Sequence, residues 1–483
     1  MTGLWTESAA AAATNGAARG NWTATGVSID SRTVGAGDLF VAIRGPNTDG
    51  HNYVGDALAR GAIAAMVAGD WAGIQADADM PLLIVEDTDE GLNALGRAAR
   101  ERSKARIVAI TGSVGKTSTK DALARVLSEQ APTTATVGNL NNQWGLPLSM
   151  ARMPAEAIYG VFELGMNHAG ELTPLSKLLR PNVAIITNVE SVHLEFFGSE
   201  EAIADAKGEI FAGMGADGAV VLNADNRHFE RLKRLAKEVG IGRVFSFGAS
   251  RSADFHMIDW HIEDGGNQVE ADLAGRRILF RTGGAGRHWA LIGVSVLGAA
   301  WLLGADLDAA AATMANIYPP QGRGVRHQVR LADGGAITVI DESYNASPAS
   351  VRAAIAVLGA TPVDGGGRRI AVLGDMLELG KNSPELHAGL APDLEAADAD
   401  LLFTCGPDMA GLSAAVPPSM DALHTDSSDG LIGLLTETVR AGDVVTVKGS
   451  LGSRMAPVVE ALLALDAGNG DDGKQPCVAG GKG

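Results

Sequence analysis

Hydrophobic positions along the chain recur with two spacings, the short continuous run of a buried strand and the 3.6-residue period of a helix. Residues 106–110 form a β-branched run, and from Lys116 onward Leu123, Val126 and Leu127 fall at helical spacing. Similar strands and helices alternate up to residue 318. This alternation predicts a parallel sheet flanked by helices.

Two predicted strands of this region lead into polar residues. The strand at residues 159–164 carries Glu163, and the strand at residues 183–187 is followed by His193. Because ligands gather at the carboxyl ends of parallel strands, we expect Glu163 and His193 to converge on one site.

A helix is predicted over residues 200–214, with an apolar side that includes Ile203 and Ile210. Lys207 falls on that same side. It is either a lysine whose stem packs along the core or a group aimed into the site, and its place near Glu163 and His193 favours the second reading.

The pattern changes after residue 250. Residues 254–262 and 278–281 flank a glycine turn and predict an antiparallel hairpin. Residues 289–303 are apolar on nearly every side, which predicts a buried helix.

Beyond a Pro- and Gly-rich break at residues 318–324, four strand candidates recur. Helical stretches fill the gaps between them, which predicts a second, doubly wound sheet whose strand ends present Asp341, Asp375 and Lys448 along one crevice. The four candidates are residues 337–341, 370–375, 401–406 and 444–448.

The chain of 483 residues is too long for one core, and the breaks in its pattern predict an α/β protein of three domains. We place the domains at residues 1–86, 87–318 and 319–465. The glycine-rich residues 466–483 are expected to be a disordered tail.

Composition narrows the function. With 57 acidic and 39 basic residues the net charge is −18, which disfavours nucleic acid and anionic membranes as partners. The N-terminus lacks the basic region of a signal peptide, and no apolar run is long enough for a membrane span. Two widely separated cysteines, Cys405 and Cys477, indicate reduced thiols, so a cytoplasmic location is expected.

The stretch T-G-S-V-G-K-T-S at residues 111–118 joins the first strand to its helix. Gly112 and Gly115 allow a tight turn at a helix N-terminus, which favours phosphate, while Lys116 can reach the outer phosphates and Thr117 can ligate Mg²⁺. Alternatively, this stretch only connects the strand to the helix and binds no phosphate. Ile110 stands where the usual phosphate loop has its first glycine, which argues against an ordinary kinase or GTPase.

Two further stretches contain candidate binding residues. The turns of residues 27–53 hold a cluster that could bind a uracil edge and a diphosphate, or could be ordinary turn chemistry: Ser31, Arg32, Asp49 and His51. Residues 138–147, G-N-L-N-N-Q-W-G-L-P, are too rich in asparagine and glycine for regular structure. Asn141 and Asn142 there could bind a polar substrate or belong to a simple loop.

Together these motifs resemble the muramyl ligases of peptidoglycan synthesis. The likeness covers residues 1–465 and rests on the loop at 111–118, E-L-G-M-N-H-A-G-E from Glu163, T-N-V-E-S-V-H-L-E around His193, A-K-G-E-I-F around Lys207, and D-E-S-Y-N-A-S-P from Asp341. It implies a small α/β UDP-binding domain, a central parallel-sheet P-loop ATPase domain and a C-terminal Rossmann-like domain.

The resemblance also implies a chemistry. Members of the family transfer the γ-phosphoryl group of ATP to a carboxylate, and an amine then attacks the acyl phosphate. Arg323 is expected to reach the phosphates from the third domain. ATP would be held by Gly112, Ser113, Gly115, Lys116, Thr117, Ser118, Asp341 and Asn345, and two Mg²⁺ ions by Thr117, Glu163, His193 and a carbamylated Lys207. The substrate residues would be Ser31, Arg32, Asp49, His51, Asn141, Asn142 and, as weaker candidates, Lys448 and Ser450.

Within the family the chain is most similar to members that add D-alanyl-D-alanine to UDP-MurNAc-tripeptide, and it is expected to be a monomer. A departure concerns the adenine contacts, since Trp289 and Ile292 stand where the family usually has asparagines. The alternatives are a diaminopimelate- or lysine-adding relative, a folylpolyglutamate synthetase, and a non-catalytic module that uses the phosphate loop as a switch.

Overall fold

The computed structural model describes residues 3–75, 78–191, 194–263, 265–363 and 365–467. Its strands form three large sheets and one two-stranded sheet, and each large sheet takes its strands from a separate stretch of the chain. The α/β class with three sheet-containing domains is therefore confirmed. The boundaries at residues 87 and 319 remain predictions.

The first domain is built on a sheet with strand order β2-β7-β6-β5-β4, in which only β2 runs antiparallel to its neighbour. Its described elements are β1 (Trp5–Thr6), α1 (Glu7–Thr14), β2 (Ala17–Arg19), β3 (Thr23–Ala24), β4 (Gly26–Ser28), β5 (Asp38–Val41), α2 (Val54–Ala59), β6 (Ala64–Ala68) and β7 (Leu82–Val85). The short strands β1 and β3 pair separately.

The central domain follows. Its described elements are α3 (Thr88–Arg102), β8 (Arg106–Thr111), α4 (Lys116–Ser128), β9 (Thr133–Ala135), α5 (Gly145–Ala151), β10 (Tyr159–Glu163), α6 (Leu172–Leu179), β11 (Val183–Ile186), α7 (Leu194–Phe197), α8 (Glu200–Gly208), β12 (Ala219–Asn223), α9 (Phe229–Glu238), β13 (Arg243–Gly248), β14 (Phe255–Glu263), β15 (Gly266–Leu273), β16 (Arg276–Thr282), α10 (Arg287–Leu302) and α11 (Leu307–Met314).

The central sheet has the order β16-β15-β14-β13-β12-β11-β8-β10-β9, parallel from β9 to β14. Its inward-facing side chains alternate between two hydrophobic cores, one on each face. Along β8, for example, Val108 and Ile110 belong to one core and Ile107 and Ala109 to the other. Because the strands are parallel, their carboxyl ends share one edge.

The third domain has a six-stranded sheet of order β17-β18-β22-β19-β20-β21, parallel except for β17, with a hydrophobic core on each face. Its described elements are β17 (Val325–Arg330), β18 (Ala336–Glu342), α12 (Pro348–Ala360), β19 (Arg369–Gly374), α13 (Ser383–Ala388), α14 (Ala391–Ala396), β20 (Leu401–Cys405), α15 (Met409–Ala415), β21 (Asp421–Thr425), α16 (Ser428–Thr438), β22 (Val444–Lys448) and α17 (Ala456–Leu463). The doubly wound arrangement is confirmed.

Helix α10 matches the expectation of a buried helix. It runs from Arg287 to Leu302, and its side chains from Trp289 to Ala300 are buried. Trp301, near its end, is 39 % exposed. The predicted helix at residues 200–214 is also found, although it tightens after Gly208 into a 3₁₀ turn at Glu209–Gly213.

The predicted hairpin of residues 254–262 and 278–281 is wrong. These segments do not pair with each other, because β15 lies between them and pairs antiparallel with both β14 and β16. The alternation of buried Val269, Ala271 and Leu273 with polar residues is the strand signal that the glycine, asparagine and aspartate content of this stretch obscured.

The asparagine-rich segment is only partly irregular. Helix α5 already begins at Gly145, and the Asn142 side chain accepts hydrogen bonds from the backbone N–H groups of Trp144 and Gly145 at 3.2 and 2.9 Å. A Cβ on Gly145 would lie 2.3 Å from the carbonyl carbon of Leu140, so glycine is required there. Asn142 therefore acts as a helix cap.

Two strands of the third domain were not predicted. Strand β17 extends the sheet antiparallel beside β18, and β21 forms the opposite edge. Both are rich in polar residues and largely half-buried or exposed, as edge strands often are. The predicted tail at residues 466–483 lies almost entirely outside the described residues.

Candidate functional site

The phosphate loop lies between β8 and α4. Gly112 and Gly115 both have positive φ, 152° and 86°. A Cβ on Gly112 would lie 1.9 Å from Thr187 Oγ1, so the loop can run this close to β11 only because residue 112 is glycine. The loop opens onto the N-terminus of α4, where unpaired backbone N–H groups favour an anion.

Lys116 is folded back onto this loop. Its Nζ donates a hydrogen bond to the carbonyl of Gly112 at 2.7 Å. Burial lowers the pKa of Lys116; the nearby Glu163 carboxylate opposes that shift, and the charge of Arg323 adds to it. Two cations and a carboxylate from two domains thus lie within electrostatic reach of one another.

The loop is fastened to the segment that follows β11. Thr187 Oγ1 donates to the carbonyl of Val114 at 2.5 Å, and Ser113 N donates to the carbonyl of Asn188 at 2.9 Å. The Ser113 hydroxyl exchanges hydrogen bonds with the backbone of Glu190. Ser113 therefore shapes the loop with both its N–H and its hydroxyl, and sequence reasoning missed Thr187 and Glu190.

Glu163, at the end of β10, is the carboxylate that faces this loop. Its side chain is 2 % exposed; Oε1 accepts a hydrogen bond from Asn141 Nδ2 at 2.8 Å, whereas Oε2 is buried and has no partner among residues with a described placement. A buried carboxylate oxygen without a partner is unfavourable. A cation beside Glu163 would satisfy it.

The chemistry of these groups fits Mg²⁺. This ion prefers oxygen ligands and is commonly held by one or two carboxylates together with substrate phosphates. Glu163, Thr117 and Ser118 all line the crevice. Within the ranges described, no group of three or more His, Cys, Asp or Glu side chains forms an all-protein metal cage.

Lys207 lies close to Lys116 but belongs to α8. It is 3 % exposed and has no hydrogen-bond or ion-pair partner within the ranges that the structure covers. Burial, reinforced by the charge of Lys116, holds the pKa of Lys207 well below its usual value. His193, the predicted neighbour of Lys207, lies outside the described residues.

A crevice of about 360 Å³ joins this central site to the third domain, a volume typical of ligand pockets. From the central domain it is lined by the phosphate loop, Glu163, Trp289 and Ile292, and from the third domain by Arg323 and Asn345. The guanidinium of Arg323 lies 4.2 Å from the centre of the Tyr344 ring, which fixes its orientation.

Asp341 shapes the turn that carries Arg323. It is buried; one oxygen accepts a hydrogen bond from Gly322 N at 3.0 Å, and the other accepts bonds from the backbone and hydroxyl of Ser343. Both oxygens are thus used in shaping the turn that carries Arg323. Asp341 is a positioning residue here, and its direct contact with a nucleotide remains a prediction.

Lys448 fixes the neighbouring loop. It is 3 % exposed, pairs with Glu342 Oε2 at 3.2 Å and donates to the backbone carbonyl of Asn345 at 2.8 Å. Ser450, also buried, accepts a hydrogen bond from Leu377 N at 2.9 Å. Glu342 borders the crevice and was not singled out from the sequence.

The prediction that Asp341, Asp375 and Lys448 share one crevice is wrong for the two aspartates. Lys448 borders the crevice, but neither aspartate lines it. Asp375 is turned into its own domain, where it accepts a hydrogen bond from Met409 N at 2.9 Å. Burial raises the pKa of Asp375.

In the first domain the predicted substrate residues fall into two separate groups, each with an ion pair. Arg32 is exposed and forms an ion pair with Asp30 at 2.7 Å, and this bond lowers the pKa of Asp30. Ser31 lies between them and is half-buried. This pair is accessible to a ligand.

The second pair is Asp49 and His51. Asp49 Oδ1 lies 2.6 Å from His51 Nδ1 and also accepts the backbone N–H of His51, while Ala68 N donates to Nε2 at 2.9 Å. His51 is 2 % exposed, and both its ring nitrogens are used within the fold. We assign His51 a positioning role, whereas Asp49 remains accessible.

Comparison with known proteins extends these observations over nearly the whole chain. Three family models match in succession: "Mur ligase family, catalytic domain" over residues 23–109, "Mur ligase middle domain" over 110–296, and "Mur ligase, glutamate ligase domain" over 325–451. The phosphate loop, Glu163 and Lys207 all fall within the second of these.

Individual relatives agree. The UDP-N-acetylmuramoyl-tripeptide--D-alanyl-D-alanine ligase of Escherichia coli is 34 % identical over 443 residues, covering 91 % of this chain and 94 % of its own. The structure of MurF from Acinetobacter baumannii is similar with a TM-score of 0.83 at 28 % identity, covering 95 % and 99 % of the two chains. MurF ligase from Thermotoga maritima in complex with ADP gives a TM-score of 0.76 at 27 % identity, covering 92 % and 98 %. The chain belongs to the Mur ligase family.

Proposed function

We propose that this chain is an ATP-dependent amide ligase that joins D-alanyl-D-alanine to UDP-N-acetylmuramoyl-tripeptide, giving the UDP-linked pentapeptide, ADP and phosphate. The observation that carries the proposal is the crevice itself, which brings the phosphate loop and a buried, unpartnered carboxylate oxygen of Glu163 opposite Arg323 of the next domain. The printed names of the relatives supply the substrates.

The reaction must activate a carboxylate, because a carboxylate at neutral pH is a poor electrophile. In the proposed sequence a carboxylate oxygen of the tripeptide attacks the γ-phosphorus of ATP and ADP leaves. The amine of D-alanyl-D-alanine then attacks the acyl carbon, and phosphate leaves with that oxygen. The loop amides and Lys116 hold the phosphates during the first step, and Arg323 approaches them from the opposite wall.

Two Mg²⁺ ions belong to this proposal, the first held by Thr117 and Glu163 and the second by His193 and a modified Lys207. Bound there, Mg²⁺ would neutralise the charge that develops on the phosphoryl oxygens. The unpartnered Oε2 of Glu163 supports the first position.

The modification proposed for Lys207 is a carbamate. Burial lowers the pKa of this amine and so favours its neutral form, which can attack CO₂; the new N–C bond forms, one proton is released, and the product has an anionic oxygen. That oxygen would convert an unpartnered amine into a metal ligand. The absence of any partner for Lys207 within the described ranges is consistent with such a role.

Substrate contacts complete the proposal. Ser31, Arg32 and Asp49 would hold the UDP end, while Asn141, Asn142, Lys448 and Ser450 remain candidates near the peptide.

We further propose a monomer, because residues of a single chain line the crevice on both sides. The cytoplasm is the proposed location, and the free thiol of Cys405 is consistent with it. Among the described residues, none of the helices has the length and apolar character of a membrane span.

Mass spectrometry of the product tests the assignment. The purified chain is incubated with ATP, Mg²⁺ and UDP-MurNAc-tripeptide in a mixture of D-alanyl-D-alanine and single amino acids. The proposal predicts one product, heavier by the dipeptide. Parallel incubations replace the tripeptide by UDP-MurNAc-dipeptide or by a folate. Addition of a single amino acid to the dipeptide precursor, with D-alanyl-D-alanine ignored, would identify a diaminopimelate- or lysine-adding enzyme, and glutamate addition to the folate would identify a folylpolyglutamate synthetase. Nucleotide binding without turnover of any acceptor would favour the switch module.

A further inference from the structure

A second lysine of α4, Lys120, lies one turn after Lys116 and is buried. It is 2 % exposed; its Nζ donates a hydrogen bond to the backbone carbonyl of Thr136 at 3.0 Å and forms an ion pair with Asp121 Oδ1 at 2.5 Å. Because burying an ammonium group is costly, a hydrophobic residue would serve packing at this position better than a lysine does. The contact with Thr136 therefore indicates a role beyond packing.

Thr136 lies at the point where the chain leaves β9. Its N–H donates to the carbonyl of Val161 at 3.0 Å, which continues the parallel pairing of β9 with β10 by one bond. The next bond of such a ladder would run from Glu163 N to the carbonyl of Thr136. That carbonyl is bonded to Lys120 instead, and Glu163 N donates to the Thr136 hydroxyl at 3.2 Å. The lysine thus accompanies the end of the strand and the start of a loop.

The loop of residues 136–141 then covers the carboxyl end of β10. At its far end Asn141 Nδ2 donates to Glu163 Oε1 at 2.8 Å, and the carbonyl of Asn141 accepts from Gly165 N at 2.9 Å. A Cβ on Gly165 would lie 2.7 Å from Asn141 Oδ1, so the amide fits against bare backbone. Glu163 is therefore held twice by one loop, at its backbone by Thr136 and at its carboxylate by Asn141.

Lys120 ties the start of this loop to the helix that carries Thr117. The two residues are three positions apart on α4, so they lie on neighbouring turns of one rigid element. Thr117 and Glu163 are the two ligands proposed for the first Mg²⁺. This ion requires nearly ideal octahedral geometry, so the placement of its ligands relative to each other matters.

We propose that Lys120 is a positioning residue of this metal site, which sets the place of the Glu163 carboxylate relative to Thr117 by holding the carbonyl of Thr136. Lys120 acts through the loop and is not among the described residues that line the crevice. The inference rests on the proposed function only in taking the crevice as a site for a nucleotide with Mg²⁺, and it deepens that function by adding a residue to the site.

Binding of ADP to the full chain, measured by isothermal titration calorimetry in Mg²⁺ and in EDTA, tests the inference without turnover. We call the ratio of the Kd in EDTA to the Kd in Mg²⁺ the Mg²⁺ gain. Lys120→Met should reduce the Mg²⁺ gain by about tenfold or more and leave the Kd in EDTA nearly unchanged, since loss of a residue that supports a metal ligand typically weakens metal binding by this factor. A role in packing alone would lower Tm without changing the gain.

Thr136→Val breaks the next link of the same chain of contacts. It removes the acceptor of Glu163 N but keeps the carbonyl that Lys120 holds, and it should also reduce the Mg²⁺ gain by about tenfold. The matched control is Thr133→Val, because the hydroxyl of Thr133 on the same strand bonds the carbonyl of Ala131 at 2.8 Å, away from Glu163. It should keep the wild-type gain. Thr136→Val decides the test if Lys120→Met does not fold.

A wild-type Mg²⁺ gain in folded Lys120→Met, or in Thr136→Val, would overturn the inference. So would equal losses of affinity in Mg²⁺ and in EDTA, which would show that Lys120 shapes the phosphate loop in general. A wild-type chain whose affinity for ADP does not depend on Mg²⁺ would overturn it as well. A gain that the variants lose, in a wild-type chain that ligates no acceptor, would instead contradict the proposed function alone.

Discussion

At the scale of single residues, the site is marked by buried polar groups that the protein itself leaves unsatisfied. Glu163 Oε2 is buried and has no partner among the described residues. Lys207 is 3 % exposed, and burial holds the pKa of its amine well below the usual value. Folded proteins rarely leave such groups unpaired in the core. Their coincidence beside a phosphate loop indicates that ligands complete the site.

The first prediction concerns Lys207. Lys207→Ala should lower kcat by about 100-fold or more, because it would remove a metal ligand rather than a packing stem. Phosphate release in the presence of all three substrates is the measurement. Added bicarbonate should not restore the variant, whereas a short carboxylic acid should restore part of the activity by supplying an oxygen.

The matched control is Lys237→Ala, which removes an exposed lysine from the neighbouring helix α9. It should behave as wild type. Full activity in Lys207→Ala would show that this lysine only packs against the core, and it would contradict the proposed carbamate.

The second prediction concerns Cys405, which ends β20. The residue is 2 % exposed, and burial beside Asp375 raises the pKa of its thiol to about 11. At pH 8 roughly one thiol in a thousand would be ionised, and only the thiolate reacts. Iodoacetamide should therefore label Cys405 slowly in the native protein and rapidly in guanidinium, as followed by peptide mapping. Equal rates in both conditions would contradict the buried environment.

At this scale, the sequence could predict a site residue only where a recognisable motif contained it. The structure places Lys116, Glu163, Arg323 and Asn345 around one crevice, as the motifs led us to expect, while their roles remain predictions. Glu342 lies within the D-E-S-Y-N-A-S-P stretch, but the motif does not reveal its ion pair with a lysine 106 positions away. Such pairs exist only once the fold has formed.

At the scale of elements, the phosphate loop works because a strand, a loop and a neighbouring strand fit closely. In the variant Gly112→Ala the new Cβ would overlap Thr187 Oγ1, so the loop would have to move away from β11. We expect a loss of about 1–3 kcal/mol in unfolding free energy and a much smaller rise in Tm on adding ADP.

Thermal melts with and without ADP check this prediction. Gly55→Ala is the control, since a Cβ at that position meets no atom within 4 Å. A wild-type response to ADP in Gly112→Ala would show that the loop tolerates displacement and that its close fit to β11 is not needed for phosphate binding.

Elements with strong hydrophobic runs could be predicted, and those with weak runs could not. Strands β8, β10, β11 and β22 are continuous apolar stretches buried on both faces, and each was located to within a residue or two. Strands β17 and β21 have few apolar residues and are held by pairing with β18 and β20. Their stability is a tertiary effect, which a local pattern does not record.

At the scale of the whole molecule, residues of two domains line the proposed site. The phosphate loop and Glu163 belong to the central domain, whereas Arg323 lies on the turn that leads into the third. Rigid-body motion between domains would therefore assemble and open the crevice, and closure would exclude water that could hydrolyse an acyl phosphate.

A prediction for Arg323 follows from this arrangement. Arg323→Ala should lower kcat by about 100-fold, because it removes a cation that meets the phosphates from the opposite wall. Binding of the UDP substrate should be nearly unchanged, since its proposed contacts lie elsewhere. Arg251→Ala, which removes an exposed arginine that does not line the crevice, is the control. Equal losses in kcat and in UDP-substrate affinity would argue for a general structural role.

Small-angle scattering tests the motion itself. With an ATP analogue and UDP-MurNAc-tripeptide together, the radius of gyration should be smaller than that of the free enzyme. An unchanged radius with both ligands, or turnover by a chain truncated after residue 318, would contradict closure.

The central claim is that the crevice activates a carboxylate by phosphoryl transfer. Its most direct test uses UDP-MurNAc-tripeptide with ¹⁸O in the carboxylate that is joined to D-alanyl-D-alanine, followed by mass spectrometry of the released phosphate. The account predicts ADP as the nucleotide product and one ¹⁸O in each phosphate, because the carboxylate oxygen that attacks the γ-phosphorus leaves with it. Unlabelled phosphate, or label recovered in AMP, would contradict the account.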